Sequence, residues 1–213
     1  MFHYIISLGF FCGVAASMDR YGLRSCSGPF DWCFSGFDGV IQTIEERFEH
    51  FFEYQNLEAV PAKPREIKDI RYHFHFLHDI QNSAFLMLEY PAVKEKYARR
   101  NEHFLLMLEK PCCCIRAIQN AEEIDFINTH QKEIKLLFKQ FNPENEVIFL
   151  IPADLKGIPI SFTSFYYVNN YDGDTKEALT RTFDSNPELL SWLLANSDPE
   201  QIKLNLARKK RAV

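Results

Sequence analysis

Residues 93–151 read VKEKYARRNEHFLLMLEKPCCCIRAIQNAEEIDFINTHQKEIKLLFKQFNPENEVIFLI, and they decide the fold. Val93, Tyr97, Phe104, Leu105 and Leu108 lie along one helical stripe, which predicts a helix over residues 93–108. Residues 112–118 then form an apolar run short enough for a buried strand. Ile124, Ile127, Ile134, Leu137 and Phe138 mark a second helix over 124–141, and 147–151 a second buried strand closed by Pro152. Helix–strand–helix–strand is the pattern of a parallel sheet with right-handed crossovers. The expected fold class is therefore α/β: three layers, a mainly parallel sheet flanked by helices, Rossmann-like or flavodoxin-like.

Outward from this stretch the signals shorten. Residues 2–8 suit a first strand ended by Gly9, and 12–21 a helix stopped by Gly22. Residues 37–52 carry Val40, Ile41, Ile44, Phe48 and Phe51 on one helical side. Residues 57–68 read as irregular because of Pro61 and Pro64, and 70–77 alternate like a strand. Residues 161–168 suit a last strand; 187–195 and 199–208 suit terminal helices. The basic run Arg208–Arg211 reads as a solvated helix end whose cations suit the helix dipole.

The 213 residues, 46% of them apolar, are expected to form one α/β domain spanning 1–213. A net charge of −5 offers no general attraction for phosphate backbones or anionic membranes, so neither nucleic acid nor membrane is an expected partner. No apolar run reaches the roughly 18–20 residues that span a bilayer. The N-terminus lacks the basic lead of a signal peptide. The six cysteines have neither the spacing of a disulfide framework nor a CxxC pair, and no HExxH occurs, so no metal site and no cofactor are expected. Three adjacent cysteines on a strand point to alternate faces and cannot jointly ligate one ion. Reduced thiols in a cytoplasmic protein are the plain expectation.

Chemistry concentrates at Ser7-Leu8-Gly9-Phe10-Phe11-Cys12. With the strand ending near Leu8 and the helix starting near Cys12, the thiol sits at a helix N-terminus. There the unpaired N–H groups and the positive dipole end favour a thiolate. It also lies at the carboxyl end of a strand, where open α/β sheets place their ligand sites. The competing reading of Cys12 is a small residue packing the helix on the sheet. A thiolate nucleophile needs a histidine nearby. His78, at a strand end beside Asp79, is the candidate; His73 and His75 read as half-buried strand residues.

The chain resembles a mainly bacterial family labelled papain-like cysteine peptidase. The resemblance rests on Ser7-Leu8-Gly9-x-x-Cys12, Tyr21-Gly22-Leu23-Arg24 and Ser27-x-Pro29-Phe30-Asp31-Trp32 with Ser35. It continues through Phe76-x-His78-Asp79, Lys96-Tyr97-x-Arg99-Arg100 with Phe104, and Ile115-Arg116. It implies a cysteine-dependent hydrolase, of peptidase, amidase or acyltransferase type, with Cys12 as nucleophile, His78 as base, and Asp79 or Asp31 orienting the imidazole. The chain departs from papain itself: Ile6 stands where papain-type enzymes carry their oxyanion glutamine, and the strand-first order is unlike a papain fold. The alternative expectation is a non-thiol protein binding an anionic ligand, such as a nucleotide-sugar or phosphorylated glycan. Arg24, Arg99, Arg100 and Arg116 would hold it, with Ser7, Gly9 and Trp32 in the same motifs. Small-molecule, peptide or glycan substrates are the expected partners. A third possibility is a non-catalytic surface built from any of Phe30, Trp32, Phe34 and Phe37 that stay exposed.

Overall fold

The computed structural model describes residues 1–169 and 180–211, the latter without the Arg211 side chain. Its first half runs β1 (Tyr4–Ser7), α1 (Cys12–Arg20), β2 (Cys33–Phe34), α2 (Phe37–Glu45), β3 (Leu57–Ala59), β4 (Ile67–Asp69) and β5 (Phe74–Phe76). The second runs α3 (Leu86–Leu108), β6 (Cys112–Ala117), α4 (Ala121–Phe141), β7 (Glu146–Pro152), β8 (Phe165–Val168), α5 (Pro187–Asn196) and α6 (Pro199–Arg211).

β6 organises the molecule. All six of its residues are buried, so successive side chains must find apolar partners on opposite faces. Cys112 and Cys114 pack with Phe104, Leu108 and Ile124, whereas Cys113 and Ile115 pack with Val14, Met18, Leu189 and Leu193. The cysteines thus act as small hydrophobes. Around β6 the parallel sheet runs β1-β6-β7-β8, with Tyr4 opposite Cys112 and Cys114 opposite Val147. Helices on both faces make the three-layer α/β arrangement expected. Asn145 fastens the crossovers: its amide donates to Leu108 O and Phe138 O at 2.7 and 3.1 Å, and its oxygen accepts from Cys112 N at 3.0 Å. The helices α4 and α5 start where asparagines cap them, with Asn120 Oδ1 accepting from Glu123 N and Asn186 Oδ1 from Leu189 N.

Several short elements differ from expectation. Residues 57–76 hold a second, antiparallel sheet with β2, in the order β2-β5-β4-β3; its strands of two or three residues are too short for alternation to register. Strand β5 begins at Phe74, because His73 sits in a turn with φ of 58°. Helix α2 stops at Glu45, not 52: Arg47, Phe48 and Phe52 adopt left-handed backbone, and the turn still buries Phe48, Phe51 and Phe52. Strand β8 starts only at Phe165. Phe30 and Phe37 are fully buried, Trp32 is half-buried and Phe34 is exposed, so half of the aromatic set considered as a binding surface is core. Among the described residues no helix is long and apolar enough to cross a membrane.

Candidate active site

The turn between β1 and α1 is fixed from three sides. Leu8 N donates to Ile115 O at 2.8 Å and Ala117 N to Gly9 O at 3.2 Å, which ties the turn to β6. Gly9 N donates to Ser7 Oγ at 3.2 Å. Ser35 N donates to Phe10 O at 3.3 Å, drawing the 27–35 loop over the turn. Gly9 has φ of 76°, and a Cβ there would lie 2.8 Å from Ser35 Oγ and 3.0 Å from Phe30 O. Glycine is required on both counts.

Cys12 is the first residue of α1, and Phe11 before it supplies no side-chain cap. Cys12 and Cys26 are half-buried; Cys33, Cys112, Cys113 and Cys114 are buried. Burial pushes the thiols of Cys26, Cys33, Cys113 and Cys114 up, which makes them poor nucleophiles at neutral pH.

The aspartates are engaged elsewhere than expected. Asp31 accepts from Arg24 Nε and Nη2 at 3.0 and 2.7 Å and from Gly28 N at 2.8 Å. Burial pushes its carboxyl up, opposed by the Arg24 guanidinium. Asp79 accepts from Lys96 Nζ and from Tyr97 Oη at 2.6 Å, with Arg100 Nη1 at 4.0 Å. His78 is exposed, its ring edge-on to Trp32 at 6.3 Å between centroids. Trp32 in turn lies under the Arg24 guanidinium, 5.4 Å from its ring centroid. Among the described residues neither aspartate is hydrogen-bonded to His78. Orientation of the imidazole by Asp79 or Asp31 is therefore not what this arrangement provides: both carboxylates pin loops through cations.

The four arginines also face carboxylates of the chain. Arg116 is wholly buried and donates to Leu8 O at 2.9 Å, Ser35 Oγ at 3.1 Å, Ser35 O at 2.5 Å and Glu123. Arg24 and Arg100 face Asp31 and Asp79, and Arg99 pairs with Glu95 on the helix surface. Ser7 is buried, with Gly9 N on its hydroxyl, and caps the turn.

His75, read from the sequence as a half-buried strand residue, sits half-buried in β5 and has a carboxylate partner. Its Nδ1 lies 2.7 Å from Glu66 Oε1, while Lys63 Nζ sits 2.9 Å from Glu66 Oε2. Glu66 is held below the usual carboxylate range despite its desolvation, through Lys63 and His75. His75 is directly opposite Phe34 in the β2–β5 ladder, and the Phe34 ring touches Phe10, two residues before Cys12. Glu66 immediately precedes β4, whose Lys68 stands opposite His75, and no spacing rule announces the pairing. Among the described residues no group of three or more His, Cys, Asp or Glu could hold a metal.

No curated protein and no solved structure matches the chain. A family model matches residues 3–148, more than half its length and the whole span of the motifs above. The chain therefore belongs to the family described as "Putative papain-like cysteine peptidase (DUF1796)".

Proposed function

We propose that the chain is a thiol-dependent hydrolase of acyl substrates with Cys12 as its nucleophile. The observation that carries this is the position of Cys12, half-buried at the first residue of α1 and just beyond the carboxyl end of β1. The positive end of the helix favours a thiolate there. Attack of Sγ on a substrate carbonyl forms a C–S bond and places the oxyanion against the first-turn N–H groups. Collapse expels the leaving group, which takes a proton from an imidazolium; water, deprotonated by the same imidazole, then cleaves the thioester and restores the thiol. His78 is the proposed imidazole, brought to the 27–35 loop by Trp32. His75 is the second candidate, favoured by its Glu66 partner.

Iodoacetamide labelling of the full chain, read site by site by mass spectrometry, tests the proposal. Cys12 is expected to label faster than the other five cysteines at pH 7. Equal, slow labelling of all six would refute it. The pH profile of Cys12 labelling separates the histidines: loss of the partner imidazole moves the profile to higher pH, in His78→Ala if His78 is the partner and in His75→Ala if His75 is.

A further inference from the structure

We infer that the groove between α4 and the start of β7 binds an acidic peptide segment in extended form, laid as an added strand along the open edge of β7. Strand β7 is longer than its neighbour: the ladder to β8 begins at Phe149 opposite Phe165, leaving residues 146–148 beyond it. The backbone parity is fixed by two hydrogen bonds. Phe149 N donates to Ser164 O at 3.0 Å on the β8 side, and Leu150 O accepts from Ile118 N at 2.8 Å on the β6 side. Val147 has the parity of Phe149, so its N–H and C=O both point to the edge that β8 does not reach. Ser164, with φ of 63°, takes the chain out of that line. The preceding segment is drawn instead to α4, where Asn128 Oδ1 accepts from Ser161 N at 2.7 Å and Asn128 Nδ2 donates to Pro159 O at 2.9 Å.

What remains is a cavity of about 390 Å³, within the size range of ligand sites. Ile134, Phe138, Phe149 and Phe162 supply its apolar lining, and Lys132, Lys135 and Lys139 of α4 stand along it. Lys139 is held by Pro143 O. Lys132 and Lys135 are exposed and without an ion pair among the described residues. Against these three cations the lining has one carboxylate, Glu146. A free strand edge, apolar pockets beside it and a surplus of cations together fit an extended peptide: main-chain hydrogen bonds seat it and alternate acidic side chains meet the lysines. A small organic anion would use the lysines and leave the edge idle. The groove flanks the amino-terminal end of β7, whereas Cys12 follows the carboxyl end of β1, so in a parallel sheet the two lie at opposite ends.

The test is a backbone-amide NMR titration of the full chain with the pentapeptide acetyl-Glu-Val-Glu-Val-Glu-amide. Saturable shifts centred on the Val147 amide are expected. Lys132→Glu with Lys135→Glu should weaken binding about tenfold, as should raising the salt from low to near-molar. The same peptide methylated on its backbone nitrogens should not bind. Absence of saturable shifts up to about 5 mM peptide, below which even weak complexes form, overturns the proposal. So does equal binding of the N-methylated peptide, or identical shifts produced by glutarate alone, which would make this a pocket for small anions.

Discussion

Removing the charge of Glu123 should be among the most damaging conservative changes in this protein. Its carboxylate is 8% exposed and its partner Arg116 0%. Besides Arg116 it accepts from Phe37 N and Gln119 N, both at 3.0 Å. Glu123→Gln keeps the shape and one acceptor oxygen but strands a buried guanidinium. Breaking a buried pair from one side costs about 3–5 kcal/mol, because the remaining charge keeps its desolvation penalty. At about 2–4 °C per kcal/mol for a chain of this size, the melting temperature should fall by roughly 10 °C. Arg116→Met should also destabilise, since Leu8 O and Ser35 O lose their donors. The double variant removes both charges, and its loss should be smaller than the sum of the two by about 1–3 kcal/mol. Urea unfolding of the four proteins followed by far-UV circular dichroism completes the cycle. Losses that add to within about 0.5 kcal/mol would refute the reasoning, because independent sites add to that precision. They would mean that the pair is solvated and contributes little.

Two further outcomes follow from other parts of the chain. Gly9→Ala should cost about 2 kcal/mol or more, since an L side chain pays for the left-handed backbone and here also meets Ser35 Oγ at 2.8 Å; a change in urea midpoint too small to resolve would contradict the turn described. Glu46 is partly desolvated, yet hydrogen bonds from Tyr72 Oη, Gln42 and Arg71 hold its carboxyl down from 4.5 to about 2. A carboxyl depressed by folding stabilises above its unfolded value and loses that contribution as pH falls toward the folded one. The stability difference between wild type and Glu46→Gln should therefore be present above about pH 4.5 and shrink toward pH 2. At pH 7 it should be about 1–2 kcal/mol given the pair's partial exposure, and a pH-independent difference in urea titrations would refute it.

The parallel sheet was legible because β6 and β7 are covered on both faces, so their apolar runs are continuous and α4 between them needs only one stripe. The start of α3 was not. It begins at Leu86 and passes through Pro91, whose missing N–H normally argues for a helix boundary. Tyr90, stacked on Phe52 with its hydroxyl near Phe52 O, helps to hold that turn. The small sheet was invisible for a different reason: its stability lies in rings brought together from afar, such as Phe30 against Phe48, Phe74 and Phe104. At the site, the placement of Cys12 followed from local rules about strands, glycine and helix starts. The partners of the charged residues did not. Which carboxylate meets Arg24, Arg116 or His75 depends on the course of irregular turns only seven to nine residues long, which no periodicity describes, and residue type alone left Asp31 and Asp79 looking available when they are held by cations.

The position of β1 carries a consequence for biosynthesis. Tyr4 finds its ladder partner only at Cys112, and Phe2 is clasped by the backbone of Asn196 and Asp198. A segment made first thus waits for chain made much later, and contacts of such sequence separation form slowly. While translation proceeds, Cys12 belongs to an undocked arm with no sheet beside it. The turn that seats Cys12 is tied to Ile115 and Ala117, so a chain cut before β6 would carry this thiol without the sheet that positions it.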